Sequence, residues 1–208
     1  MSSTDCTKQD AAREIVAAFA ACPVATISDN LDRSVGARGL TMMSQSRRMI
    51  GPAFTVKTAP GDNAWIHRAL DVMSPGDVLI VDGGGYEDRA LIGEIMMRIS
   101  QARGAAGWVI DGAIRDLDVI ASGDFPVFAR SSTHLGPYKN GPGALQVSVS
   151  IGGMVVHPGD IVVGDIDGVV AFCPEIAADL LVAVEKQMAK EEAILRQIAD
   201  GTYRNQYA

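Results

Sequence analysis

The chain has 208 residues, 48% hydrophobic and 21% charged, which is enough apolar material for one large domain or two small ones. Lys and Arg total 18 against 25 Asp and Glu; this net charge of −7, without a basic run, argues against nucleic-acid binding. Cys6, Cys22 and Cys173 lie far apart and outside any CxxC pattern, so neither a disulfide framework nor a zinc site is expected. A polar start and the lack of a long apolar run predict a cytoplasmic protein without a membrane partner.

The first third of the chain is predicted to contain both helices and strands. Its first helix ends before Pro23, and Ser28 or Asp29 is the expected N-cap of a second short element. A Pro-Gly-Asp-Asn turn then separates a strand from a helix. The predicted elements are a helix over Asp10–Ala21, a short element that begins within Thr26–Asp29, a strand over Gly51–Thr58 and a helix over Ala64–Val72.

The middle of the chain alternates between apolar strands and helices, which is typical of βαβ units and a parallel sheet. A strand over Asp77–Val81 is expected to stop at Gly83–Gly85. The next helix has Gly93 at its start and ends near Gly104. Ile92, Ile95, Met96 and Ile99 form its apolar face, and it is followed by a strand over Trp108–Asp111, a helix over Leu117–Ala121 and a strand over Val127–Ala129.

From Leu145 onward, short strands separated by Gly and Asp indicate antiparallel hairpins. A long helix is predicted from Pro174 to about Asp200, where Gly201 stops it. With no evident linker, we predict an α/β fold: a layered sandwich of mixed β-sheets covered by helices, in a single domain over residues 1–208. The short strands are expected over Val147–Ile151, Met154–Val156, Ile161–Val163 and Val169–Phe172.

The segment Ile110–Asp116 is the strongest candidate for chemistry. A buried strand is expected to end in a glycine turn that presents an arginine beside a carboxylate. The guanidinium of Arg115 offers a planar fork for a carboxylate or an oxyanion. The carboxylate of Asp116 offers hard oxygens for a cation such as Mg2+. This pair suits the binding of a small oxo-acid together with a metal.

A second candidate is the predicted helix start at Gly93 and Glu94. Glycine there allows a ligand to approach free backbone N–H groups, which attract an anion; close helix–sheet packing is an equally good explanation. Twenty residues separate Glu94 from Arg115, about the length needed to return to the same sheet edge, so the two segments can converge. Taken singly, each carboxylate is better explained as solvated or capping, and Arg115 as a surface ion-pair partner.

The remaining candidate residues are explained as structural rather than functional. Gly83–Gly85 lacks both the dinucleotide-binding and the P-loop patterns, so nucleotide binding is not expected. Ser131–Thr133 lacks a nucleophile elbow, and Cys173 is expected at a buried strand end. The three histidines, His67, His134 and His157, are predicted to be structural.

Several short motifs occur in a specific order: Ile27–Asp29, Gly51–Ala53, Pro60–Asn63, Pro75–Asp77, Ala90–Glu94, Asp111–Asp116, Pro158–Asp160 and Asp165–Val170. In this order the chain resembles the family of 4-hydroxy-4-methyl-2-oxoglutarate aldolases over roughly residues 26–201. Members of that family are class II (metal-dependent) pyruvate aldolases with oxaloacetate decarboxylase activity. The same family includes the regulator of ribonuclease activity A.

The resemblance implies a division of roles. Asp116 would bind a divalent metal, Mg2+ or Mn2+, and Arg115 would bind the oxo-acid and stabilise its oxyanion. The backbone N–H groups of Gly93, Glu94, Ile95 and Met96 would complete the substrate site. Glu94 stands where several family members have Asp. An acidic residue after the arginine favours the enzyme branch over the ribonuclease-regulator branch.

The resemblance also implies an assembly. Family aldolases are thought to take a glutamate from a neighbouring subunit, for which Glu191 and Glu192 are the candidates, and the sandwich would form a homotrimer or homohexamer. The predicted function is therefore a metal-dependent lyase that cleaves 4-hydroxy-4-methyl-2-oxoglutarate or a related 4-hydroxy-2-oxo acid to pyruvate and decarboxylates oxaloacetate. The main alternative is a non-enzymatic, ribonuclease-regulator-like binding protein. Absent nucleotide motifs argue against a phosphotransfer or methyltransfer enzyme.

Overall fold

The structure is a computed structural model that describes residues 14–32, 36–46 and 48–205. Residues 14–19 are helical, a short 3₁₀ helix spans Pro174–Ile176, and the described residues contain five further α-helices. They are a short helix α1 (Val24–Asp29), α2 (Ala64–Val72), α3 (Glu94–Ala102), α4 (Leu117–Ser122) and the long α5 (Ala177–Ala199). The strands are β1 (Thr41–Met42), β2 (Arg48–Thr58), β3 (Val78–Ile92), β4 (Gly107–Ile114), β5 (Val127–Ser132), β6 (Gly143–Leu145), β7 (Val149–Ile151), β8 (Met154–Val156), β9 (Ile161–Asp165) and β10 (Gly168–Phe172).

A large mixed sheet organises the fold, with strand order β1-β5-β4-β3-β2-β9-β10 and β6 paired to β2. Its centre, β2-β3-β4-β5, is parallel, while β9 and β10 add antiparallel pairs at one side. Helix α3 connects β3 to β4, and α4 connects β4 to β5. Because parallel strands release their following segments at one edge, the starts of both helices lie at the same edge of the sheet.

The central strands are buried on both faces, which explains why they read as continuous apolar runs. In β3, Leu79 and Val81 join the core beneath helices α2, α3 and α4. The alternating Val78 and Ile80 join the core that faces the β7–β8 hairpin. A third core packs α5 against β9 and β10. The predicted α/β sandwich of mixed sheets covered by helices is confirmed.

Two strands are longer than predicted. β3 does not stop at Gly83–Gly85; it pairs with β4 as far as Ile92, with register shifts after Asp82, Tyr86 and Ala90. The glycines, with Gly84 and Gly85 at positive φ, form an irregularity inside the strand rather than its end. Ile92 is therefore the last residue of a strand, and its assignment to the helix face was wrong.

β4 runs through Gly112 to Ile114. The prediction that a glycine turn precedes Arg115 was therefore wrong. Residue 112 within the strand is glycine because an added Cβ would lie 2.9 Å from Cδ1 of Leu91 and 3.0 Å from the Tyr86 carbonyl oxygen. The N-cap prediction for Ser28 or Asp29 was also wrong, because α1 begins at Val24 and both residues form its last turn. Pro23, with φ of −61°, precedes the helix instead.

The second half of the chain follows its predicted pattern. β7 with β8 and β9 with β10 form antiparallel hairpins, and α5 ends at Ala199, close to Gly201 at positive φ. Cys22 and Cys173 are free thiols, whereas Cys6 and the start of the predicted Asp10–Ala21 helix lie outside the described residues. Within the described residues, none of the helices combines the length and apolarity needed to cross a bilayer.

One buried ion pair links the two layers of sheet. Asp111, in β4, pairs through Oδ1 with Nε of Arg130 in β5, and its side chain is only 7% exposed. Its other oxygen, Oδ2, accepts a hydrogen bond of 3.1 Å from the Gly152 N–H in the turn of the β7–β8 hairpin. The carboxylate therefore fixes the position of the hairpin over the large sheet.

Replacing Arg130, the cation of this pair, tests how much the fold depends on the ion pair. Arg130→Met leaves the buried carboxylate without its partner, and we expect the free energy of unfolding to fall by about 3–5 kcal/mol. Urea denaturation measures the change. The double variant Arg130→Met/Asp111→Asn, which removes the stranded charge, should recover most of the loss. A single variant within about 1 kcal/mol of the wild type would contradict this role, since surface ion pairs reach only that magnitude.

Candidate active site

Gly93 separates β3 from α3 and allows two chain segments to meet. Its φ of −157° is accessible to any residue, so backbone strain does not require glycine. The space does: an added Cβ would lie 2.4 Å from Oδ2 of Asp116 and 2.8 Å from Cγ of Arg115. Two explanations for this glycine follow from the sequence, ligand approach and close helix–sheet packing. The structure agrees better with close packing, although the residues that pack there are the side chains that follow β4.

Arg115 and Asp116 continue directly from β4. The Arg115 N–H donates to the Ile92 carbonyl at 3.0 Å, which extends the pairing between β3 and β4. Asp116 then adopts the left-handed conformation, with φ of 58° and ψ of 40°, as the residue that precedes α4. Asp is one of the few residues that enter this region without glycine, and such conformations cluster at functional sites.

The carboxylate of Asp116 caps the start of α3. Its Oδ2 accepts a hydrogen bond of 2.9 Å from the Glu94 N–H and lies 3.8 Å from Nε of Arg115. Within the described part of the chain, Oδ1 receives no hydrogen bond. The two side chains are 44% and 41% exposed, so the guanidinium and one carboxylate oxygen are open to a ligand.

Arg115 and Asp116 lie between two cavities. We call the first, of about 320 Å³, the His67 cavity, and the second, of about 720 Å³, the His134 cavity. Ile95 and Met96, which follow Glu94 in the first turn of α3, line the His67 cavity. N–H groups in a first turn lack intrahelical acceptors, so this wall can receive an anion. The polar walls of the His134 cavity include Glu94, Asp118, Ser132, Thr133 and His134.

Positive charge also lines the His67 cavity. Lys139 lines it, and His67 beside it has a lowered pKa because burial disfavours its charged form and Lys139 repels it, against a smaller opposing effect of Asp71. Near pH 7 the imidazole is therefore neutral. Lys139 and Arg115 remain as the cations of a cavity in a chain whose overall net charge is −7.

Asn63 lines the same cavity, and its side chain is buried. Its Nδ2 donates to the Leu91 carbonyl at 3.0 Å. Its Oδ1 is buried without a partner in the described residues. A buried acceptor left unpaired is costly, so this atom is suited to an ordered water.

The loop that brings Lys139 to the cavity is anchored by Asp62. Its Oδ2 accepts hydrogen bonds from the N–H groups of Asn140 and Gly141 at 2.8 and 2.7 Å, and its Oδ1 accepts one from Ala64 at 2.9 Å. Burial alone would raise the pKa of this carboxyl, but the three N–H donors outweigh it and lower the pKa. Asp62 is therefore ionised at neutral pH and fixes the loop.

The structure brings together most of the residues named from the sequence. Gly93, Ile95, Met96, Arg115 and Asp116 surround the His67 cavity. The Glu94 side chain lines the His134 cavity and pairs with Arg98 at 3.5 Å. Glu191 and Glu192 are exposed on α5, bonded to Gln187 and Arg196, and line neither cavity of this subunit.

The sequence interpretation missed Asn63, His67 and Lys139 as cavity residues. His67 was predicted to be structural, yet it is half-buried in the cavity wall. Asn63 and His67 lie on one side of α2, in its N-cap and first turn. Their spacing of four residues was an available signal, because such residues share a helix face. No local pattern identified Lys139, which comes from a distant loop.

A metal would have to be held by few protein atoms here. The described residues contain no group of three His, Cys, Asp or Glu side chains able to hold a metal ion. Mg2+, however, commonly uses one or two carboxylates and completes its shell with water and substrate oxygens. The open Oδ1 of Asp116 fits that kind of site.

Comparisons with known proteins extend these observations. The model of the RraA-like family, described as Aldolase/RraA, matches residues 24–171. A protein of Halalkalibacterium halodurans named "Putative 4-hydroxy-4-methyl-2-oxoglutarate aldolase" is 36% identical over 191 residues, covering 90% of each chain.

Two solved structures show the same fold. An uncharacterized protein from Pseudomonas syringae pv. tomato superimposes with a TM-score of 0.84 at 28% identity, covering 92% of this chain and 91% of that one. The RNA-processing inhibitor RraA from Thermus thermophilis superimposes with a TM-score of 0.66 at 28% identity, covering 72% of this chain and 92% of that one.

Gly93→Ala tests the contact between the two strand ends. The new methyl group would displace the Asp116 carboxylate from the Glu94 amide, so we expect hydrogen exchange of that amide to rise about tenfold, as for the loss of one hydrogen bond. Gly123→Ala is the matched control, because its Cβ would meet only ordinary contacts of 3.4 Å or more. Equal exchange at Glu94 in both variants would contradict the proposed contact.

Proposed function

The chain belongs to the RraA-like (Aldolase/RraA) family, and we propose that it is an aldolase that releases pyruvate from 4-hydroxy-4-methyl-2-oxoglutarate or a related 4-hydroxy-2-oxo acid. We include divalent-metal dependence and oxaloacetate decarboxylation in the proposal. The observation that carries it is the convergence of Arg115, Asp116 and the start of α3 on one open cavity. The name of the Halalkalibacterium halodurans relative supports the same reaction class.

The pyruvyl end of the substrate carries a carboxylate beside a keto group. The free N–H groups at the start of α3 are suited to the carboxylate, and the positive end of the helix dipole favours it. Arg115 can direct its guanidinium at the keto oxygen. Ile95 and Met96 line the same cavity as Arg115. Their N–H groups can therefore donate to the carboxylate while Arg115 donates to the keto oxygen.

Asp116 is the residue that would hold a divalent cation, Mg2+ or Mn2+, through its open Oδ1. When bound, such a cation supplies Lewis acidity to the substrate's carboxylate and keto oxygens. The Glu94 N–H and Nε of Arg115 both lie beside Oδ2 and orient the carboxylate. Glu94, at the adjoining cavity, can orient water nearby.

The chemistry follows from where charge develops. Breaking the bond between C3 and C4 leaves its electron pair on the pyruvyl fragment, whose keto oxygen becomes an enolate oxyanion. Arg115 stabilises that oxyanion more strongly than the ground-state ketone, which lowers the barrier. Protonation at C3 then gives pyruvate. Because aldol cleavage and decarboxylation produce the same enolate, one arrangement can serve both reactions.

The two reactions differ in their need for a base. Aldol cleavage requires removal of the C4 hydroxyl proton, whereas decarboxylation does not. Following the family resemblance, we propose that Glu191 or Glu192 of a neighbouring subunit acts as the base, in a homotrimer or homohexamer.

The second carboxylate of the substrate has a counterpart in the His67 cavity. Lys139 supplies a cation to the lining of this cavity, and neutral His67 can donate or accept a hydrogen bond. This arrangement favours dicarboxylic oxo-acids over pyruvate itself. A substituent at C4 would lie between these groups and Asn63.

A binding protein is the second candidate. It is favoured by the structural likeness to the Thermus thermophilis protein, which is described as an RNA-processing inhibitor. A purely inhibitory role would leave the open carboxylate oxygen and the lysine of the cavity without a function. Those atoms support the enzyme.

Removal of the metal-binding group should abolish the reaction. With Mg2+ present, we expect conversion of oxaloacetate to pyruvate that EDTA stops, and Asp116→Asn should lower kcat/KM by about 100-fold or more. Asp124→Asn, an exposed carboxylate that lines neither cavity, is the control. Turnover that resists both EDTA and Asp116→Asn would refute the metal-dependent mechanism, and tight binding to a ribonuclease without turnover would favour the second candidate.

Lys139→Met should separate the two reactions. Loss of the cation should raise KM for a dicarboxylic aldol substrate about 10- to 100-fold, the range of one charge-assisted hydrogen bond. The kcat of oxaloacetate decarboxylation should not fall, because a cation beside the departing carboxylate opposes its conversion to neutral CO2. Steady-state kinetics measure both, with Lys57→Met as the control for an exposed lysine of β2. An unchanged KM would show that the distal carboxylate binds elsewhere.

A further inference from the structure

Besides the anchoring by Asp62, one arginine holds the loop that borders the His67 cavity. Arg89, near the end of β3, donates from Nη1 to the Gly136 carbonyl at 2.8 Å. Its guanidinium also stacks on the ring of Tyr138, with 4.1 Å between Cζ and the ring centroid. Both partners belong to the connection between β5 and β6, so one planar side chain contacts that loop at two points.

The turn at Gly61 packs against Arg89 and bonds to the backbone of Tyr138. Gly61 has φ of 70°, and an added Cβ would lie 3.2 Å from Cβ of Arg89 and 3.0 Å from the ring of Tyr86. Tyr138 donates its N–H to the Gly61 carbonyl at 2.8 Å and accepts from the Asn63 N–H at 3.0 Å. The loop is thus held between β3 and the turn that leads into α2.

The fastened residues are neighbours of the site. Gly136 backs Arg115 so closely that a Cβ there would lie 3.2 Å from Nη1 of Arg115. Lys139 follows Tyr138 directly and lines the His67 cavity, as does Gly136. A shift of this loop would therefore move Lys139 and also the backbone at Gly136 that packs against the Arg115 guanidinium.

Arg89 has no competing role in the described structure. No carboxylate lies within ion-pair distance of it among the described residues, although Glu87 and Asp88 precede it in sequence. The side chain is half-buried and lines neither cavity. An arginine that serves a neutral carbonyl and an aromatic face is used for its shape, which Lys cannot reproduce.

We propose that Arg89 is a positioning residue, which holds the loop of Gly136 and Tyr138 so that Lys139 reaches the cavity and Arg115 keeps its backing. The kinetic part of this inference rests on the proposed function. The position of Lys139, which is proposed to bind the second carboxylate of the substrate, would then depend on a side chain that touches no substrate.

The test combines hydrogen exchange with kinetics in the full-length protein. Arg89→Gln should raise amide exchange across residues 136–141 about tenfold and KM for the aldol substrate about tenfold, the loss expected for one stack plus one hydrogen bond, with kcat within about threefold. Arg89→Lys should recover only part of both effects. Arg68→Gln is the matched control, because Arg68 also stacks on an aromatic ring, that of Trp65 at 4.4 Å, yet lines neither cavity.

The outcomes are distinct. Raised loop exchange with an unchanged KM would overturn the positioning role, as would unchanged exchange. Equal effects of Arg89→Gln and Arg68→Gln would point to a general loss of stability and would overturn it too. If the wild-type protein turned over no oxo-acid, the proposed function would fail, and the exchange data alone would decide whether Arg89 holds the loop.

Discussion

The site depends on one close approach, that of the Asp116 carboxylate to the amide at the start of α3. The contact of 2.9 Å exists because Gly93 leaves out the side chain that would occupy the same space. It joins the ends of β3 and β4, places the guanidinium of Arg115 beside the carboxylate, and leaves the other carboxylate oxygen open. The neighbouring cavities, the proposed metal position and the proposed substrate orientation all follow from that junction.

Local charge, rather than the net charge of −7, determines what the cavity can bind. Arg115 and Lys139 both line it, while burial and Lys139 keep His67 neutral. Asp62, whose pKa is lowered by three N–H donors despite its burial, keeps the loop of Lys139 in place. A dicarboxylic oxo-acid matches this arrangement, because each of its negative ends meets a cation or a helix N-terminus.

The sequence predicted the architecture well, since strands buried on both faces leave continuous apolar runs and the return distance from Glu94 to Arg115 suits a βαβ unit. It failed where tertiary contacts override local signals. Gly83–Gly85 resembled a strand end, although pairing with β4 carries β3 through to Ile92. Asn63, His67 and Lys139 escaped notice because two segments more than 70 residues apart, joined by Asp62, form the wall that they share. The neighbouring subunit's contribution from Glu191 or Glu192 stays a prediction.

The most direct test of the account is a crystal structure of the protein grown with Mg2+ and oxalate, a planar dianion that resembles the pyruvate enolate. The account predicts a cation bound to Oδ1 of Asp116 and chelated by oxalate, with oxalate oxygens within hydrogen-bond distance of Arg115 and of the Ile95 or Met96 N–H. A cation and oxalate bound away from Asp116, or a well-ordered site at Asp116 that takes up neither, would contradict it.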